Sequence, residues 1–170
     1  MIKLKDILLE NDGEELDILV PRRSNQDRVR NYQIAVNKKI QKYIKDGCEG
    51  DLDLSHGPIT KLPDNLTKFG GSLDVSYTQI TQLPDNLTIK NDLTLNSTPI
   101  KELPHNLNVG RHLYLSDTPI KELPDNFTVN GSLYLNNSAI EKIPINLTVG
   151  WNLILCGTPL SKKYTVKQLK

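Results

Sequence analysis

L-Y-L-S-D-T-P-I-K-E-L-P, residues 113 to 124, decides the fold, because close copies of it stand on either side at a spacing of 20 residues. Residues 73 to 84, 93 to 104 and 133 to 144 repeat its apolar pattern, and residues 52 to 63 and 153 to 160 are looser copies. A fixed period of this length is the signature of a solenoid. Within the unit, Leu113 and Leu115 alternate with His112, Tyr114 and Ser116, so two leucines point inward from a short strand while the residue between them points out. Ile120, Leu123, Phe127 and Val129 fill the same interior from a returning arm, in which Pro119 and Pro124 discourage helix. A lone unit cannot cover its own leucines. Stacking of neighbours must therefore supply most of the stability.

Working outward, the units run 50 to 70, 71 to 90, 91 to 110, 111 to 130, 131 to 150 and 151 to 170, with one extra residue in the first. Thr78, Thr98, Thr118, Ser138 and Thr158 form a column of hydroxyls just after the strand, placed to satisfy buried backbone groups; Gly57 interrupts it in the first unit. The last unit loses its L-P, and Tyr164, Val166 and Leu169 among its charges suit a closing end. Ahead of the array, residues 1 to 49 form an N-terminal segment. Residues 2 to 10 fit a short helix with one apolar side, and residues 16 to 20 an extended run stopped by Pro21. A longer helix is expected over 24 to 46, begun by Ser24 with Asp27 and ended by Gly47. Its stripe of Val29, Tyr32, Val36, Ile40 and Tyr43 suits a cap on the first repeat, which a solenoid needs to cover its end. Its basic face also admits a membrane surface or an acidic partner.

The repeat resembles the leucine-rich repeat, in particular the short 20-residue bacterial type, with Leu113, Leu115, Thr118 and Ile120 at the places of its L-x-L-x-x-N/T-x-L core. The L-P of each unit is similar to repeats of secreted bacterial effectors, and the D-N-L-T-V-G return to repeat proteins of bacteriophages. The resemblance implies a solenoid with a short parallel sheet on its concave face. Thr replaces the usual Asn and the motif's opening leucine is out of place, so the convex side is expected to be mostly irregular.

Composition narrows the function. With 21 basic and 20 acidic residues the net charge is +1, which gives no general field toward nucleic acid or anionic membrane. No run of about 18 apolar residues is present for a membrane span. Residues 1 to 10 lack a signal peptide's apolar core, so a cytoplasmic location is expected, in the host cell if the chain is phage-encoded. Cys48 and Cys156 stand five repeats apart, about 24 Å at a strand spacing of about 4.8 Å, whereas a disulfide needs Cα atoms within about 7 Å. Two reduced thiols follow. No phosphate loop, nucleophile elbow or zinc spacing appears, so neither an enzyme nor a cofactor is expected. His56, His105 and His112 lie at unequal places in their repeats and do not form a ligand set. The N-x-T triplets at Asn65, Asn86, Asn126 and Asn146 follow from the repeat itself, and Asp64, Asp85 and Asp125 read as turn formers.

The outward positions of the strands carry the functional signal. Asp53, Asp74, Thr94, Tyr114, Tyr134 and Ile154 lie between the inward residues, and Asp51, Ser72, Asp92, His112, Ser132 and Asn152 lie beside them. The concave face thus grades from acidic to aromatic and apolar, as a protein-recognition surface requires. The candidate partner-binding residues are Asp51, Asp53, Asp74, Asp92, His112, Tyr114, Tyr134 and Ile154, meeting a protein of unknown identity. Self-association through the C-terminal edge or the N-terminal segment, as in a homodimer, is the second reading. A targeting module of a secreted effector is the third.

Overall fold

A computed structural model describes residues 25–163, and the segments expected over residues 2–10 and 16–20, with Tyr164, Val166 and Leu169, lie outside the described residues. The chain is a parallel β-solenoid. Its inward leucines belong to two-residue strands β1 (Leu52–Asp53), β3 (Leu73–Asp74), β5 (Leu93–Thr94), β7 (Leu113–Tyr114), β9 (Leu133–Tyr134) and β11 (Leu153–Ile154), which pair in that order as a six-stranded parallel sheet. The register aligns like with like: Leu93 faces Leu113 and Tyr114 faces Tyr134.

The returning arm is more regular than the sequence suggests. β2 (Lys68–Phe69), β4 (Thr88–Ile89), β6 (Asn108–Val109), β8 (Thr128–Val129) and β10 (Thr148–Val149) form a second, five-stranded parallel sheet. The rest of the arm is irregular. Register also locates the extra residue of the first unit. Leu52 pairs with Leu73, 21 positions on, while Lys68 pairs with Thr88, 20 positions on, so the surplus is absorbed before β2, where the Thr67 carbonyl accepts the Thr88 N–H at 2.8 Å.

The core lies between the two sheets. Leu113, Leu115, Ile120 and Val129 are completely buried, and Leu123 and Phe127 nearly so; a side chain so placed stabilises by about 1.5–3 kcal/mol. The hydroxyl column does what its position implied. Thr78, Thr98, Thr118 and Ser138 each donate to the carbonyl three residues back at 2.7 Å, and Thr158 does so at 2.8 Å. In the first unit Gly57 uses its own N–H on the Leu54 carbonyl, where an added Cβ would stand only 2.8 Å from that oxygen.

At the N-terminal end α1 (Asn25–Lys45) ends where Gly47, at φ 81°, turns the chain left-handed. The Cys48 N–H bonds to the Tyr43 carbonyl and the Gly47 N–H to the Ile44 carbonyl, the paired bonds that close a helix at glycine. Val36, Ile40 and Tyr43 are buried in the same cluster as Leu52 and Leu54, and the Tyr43 ring stacks on Phe69 at 5.6 Å. The apolar stripe is split, however: Val29 and Tyr32, two turns and one turn before Val36, are about half exposed, as is Ile34. No helix among the described residues is long and apolar enough to cross a membrane.

The C-terminal end differs. Thr158 caps α2 (Pro159–Lys163) by accepting the Ser161 N–H at 3.0 Å, and Leu160 is buried with its N–H on the Ile140 carbonyl. Yet Leu153 is 39% exposed, whereas its partner Leu133 is wholly buried. β11 and β10 are the outer strands of their sheets at this end.

Candidate functional site

The six-stranded sheet places Asp53, Asp74, Tyr114, Tyr134 and Ile154 in one row, and Asp51, Asp92 and His112 in the row beside it. Asp51, Asp92 and His112 carry a structural duty that sequence reading missed. The N–H of the residue before β3, β7 and β9 points back toward the previous coil, and a side chain there accepts it: Asp51 from Ser72 at 2.6 Å, Asp92 from His112 at 3.0 Å, and the Nδ1 of His112 from Ser132 at 3.0 Å. Ser132 continues the series by accepting from Asn152 at 3.3 Å. Carboxylate, imidazole and hydroxyl all serve here because each presents an acceptor atom to the N–H.

Asp53 and Asp74 have a related task. Each accepts the N–H two residues on, from Ser55 at 2.9 Å and from Ser76 at 2.8 Å, the local bond that Asp readily makes in turns. The Ser55 hydroxyl and then its backbone N–H, with Lys39 and His56 adding to them, hold the Asp53 carboxyl below its ordinary range. In the fourth unit the strand's middle residue is Tyr114, and the neighbouring coil's Asn96 supplies the acceptor for Ser116 at 2.8 Å instead. The acidic half of the gradient thus has a backbone reason to exist.

The aromatic half has none. Tyr114 and Tyr134 are half-buried, and their rings stack face to face, centroids 4.5 Å apart and planes within 9°. His112 stands beside them, 6.1 Å from Tyr114 and 6.3 Å from Tyr134, and meets Trp151 edge-on at 5.0 Å. Trp151 is 65% exposed and was not among the residues singled out from sequence. A signal was present: it takes the place held by Gly71, Asn91, Arg111 and Gly131 in the other units. Burial first, then Tyr134 and Asp92, push the Tyr114 phenol above its usual range. Each of the two rings covers one face of the other. Ile154 is half-buried on the outer strand β11, adjacent to Tyr134.

No protein-family model matches the chain, and no curated protein is found to match it. Neither thiol forms a disulfide: Cys48 is half-buried and Cys156 exposed.

Proposed function

We propose that the chain is a non-enzymatic interaction module of leucine-rich-repeat type that binds another protein on the outward face of its six-stranded sheet, the concave face of such a repeat. The observation that carries this reading is the four-ring group of Tyr114, Tyr134, His112 and Trp151, at positions where neither the ladder nor the core demands an aromatic tyrosine or tryptophan. Such residues supply large contact area at low entropic cost and dominate binding energies. Asp51, Asp53, Asp74 and Asp92, each with a carboxylate oxygen beyond the one used on the backbone, would meet a basic region of the same partner, and Ile154 an apolar one. If the chain is phage-encoded, as its D-N-L-T-V-G return suggests by resemblance alone, the partner is a protein of the host cytoplasm.

The test is affinity capture from host lysate with wild type and the Tyr114→Ala/Tyr134→Ala pair, the fold of each checked by circular dichroism. Loss of the captured protein with the fold intact is expected. Equal capture by both refutes the assignment.

Self-association is the second reading, favoured by the exposed Leu153 on an outer strand and by Ile145, 99% exposed; unpaired strand edges readily pair with other chains. A monomer throughout a light-scattering concentration series removes it.

A further inference from the structure

A second column runs along the turn edge of the six-stranded sheet. His56, Tyr77, Ser97, Asp117, Asn137 and Gly157 occupy equivalent places in the six coils, all with φ between 54° and 76°. Glycine, asparagine and aspartate suit this left-handed conformation, whereas a bulky ring such as Tyr77 adopts it against strain. The backbone is the same from coil to coil: the N–H of Tyr77 bonds to the Asn96 carbonyl at 3.0 Å, that of Ser97 to Ser116 at 2.9 Å and that of Asp117 to Asn136 at 2.9 Å. Side chains along the column therefore leave in one direction.

The rings of His56 and Tyr77 stack with centroids 4.6 Å apart and planes within 5°. That separation is close to the strand spacing of about 4.8 Å, so the stack runs along the solenoid axis. Its next rung holds Ser97, too short to continue it, and Tyr77 remains 57% exposed. One coil further stands the exposed Asp117, which makes no ion pair among the described residues. No lysine or arginine occupies this column or the adjoining one of Ser55, Ser76, Asn96 and Ser116.

We propose that the slot over Ser97, between the open face of Tyr77 and Asp117, takes an arginine side chain of a partner protein. A guanidinium is planar and weakly hydrated, so it continues an aromatic stack, and its delocalised positive charge then lies beside the Asp117 carboxylate one coil on. Lysine brings the charge without the plane. A nucleotide brings the plane with charge of the wrong sign. The slot lies in the second to fourth coils, apart from the Tyr134 and Trp151 end of the aromatic group, and does not depend on that group's function.

The test is an NMR titration of the full chain with the blocked peptide Gly-Arg-Gly, its lysine and citrulline counterparts, and adenosine monophosphate. Saturable shifts of the Tyr77 ring and the Ser97 amide are expected with the arginine peptide, with at least fivefold weaker binding of the lysine peptide. Ser97→Tyr fills the slot, and Tyr77→Asn removes its wall while suiting the left-handed backbone; each should weaken binding tenfold or more, whereas Tyr134→Ala changes it less than twofold. Equal affinity for arginine and lysine peptides overturns the proposal, as does unchanged binding by Ser97→Tyr and Tyr77→Asn. Tighter binding of adenosine monophosphate at Tyr77 than of the arginine peptide also overturns it.

Discussion

Replacing Thr118 with valine keeps the shape of the side chain and removes one donor. Thr118 is 3% exposed, and its hydroxyl donates to the Leu115 carbonyl at 2.7 Å. Leaving a buried acceptor without its partner costs about 1–3 kcal/mol, and the added methyl returns up to about 0.8 kcal/mol of apolar burial. The net loss is about 0.2–2 kcal/mol, which lowers the midpoint of thermal unfolding by up to roughly 8 °C for a chain of this size. Two controls isolate the hydrogen bond. Thr118→Ser keeps the donor and loses only the methyl, about 0.8 kcal/mol. Ser138→Ala removes the equivalent hydroxyl one coil on, where the Leu135 carbonyl also receives the Ser138 N–H at 3.1 Å, so its loss should stay below about 1 kcal/mol. Urea unfolding followed by circular dichroism ranks the three. If Thr118→Val is as stable as wild type, the hydroxyl column does not serve the buried carbonyls and the reasoning fails.

Two further outcomes are expected. Gly110→Ala places a Cβ 2.0 Å from the Lys90 carbonyl oxygen of the preceding coil, so the coils must part and about 1–3 kcal/mol is lost; a urea midpoint equal to wild type would contradict that contact. Asp53, whose carboxyl is held below its ordinary value of 3.8, contributes stability that is present above that value and fades as the pH falls through the lowered one. The advantage of wild type over Asp53→Asn should therefore shrink between about pH 6 and about pH 3, and an advantage that stays constant over that interval would mean that the Ser55 bonds do not favour the charged form.

What the sequence made legible was whatever repeats in kind. The alternation of Leu113, Tyr114 and Leu115, recurring every 20 residues, specifies the inward and outward rows of one sheet, and the register pairs them as expected. The second sheet escaped notice because its strands are two residues long and sit inside a segment whose Asn and Asp speak for turns. The bonds donated by Ser72 to Asp51 and by Ser132 to His112 escaped it because their partners are 21 and 20 residues apart and share no residue type. The exposed half of the α1 stripe, Val29 and Tyr32, shows a different limit: helical spacing fixes which residues share a face but not how much of that face a neighbour covers.

A solenoid makes residues 20 apart in sequence into neighbours in space, so each departure from the consensus is best judged beside the departure one coil away. Where successive residues differ in type but share one atomic role, as Asp92, His112 and Ser132 share a hydrogen-bond acceptor, the fold accounts for them. Where successive residues share a type that the fold does not ask for, it does not. Tyr114 with Tyr134 satisfies no buried backbone group, and Tyr77 with His56 holds rings in a conformation that glycine and asparagine fill more easily further along the same column. Both pairs put aromatic surface at the solvent boundary, in register along the axis. That coincidence at two separate columns is what directs attention to recognition rather than to scaffold.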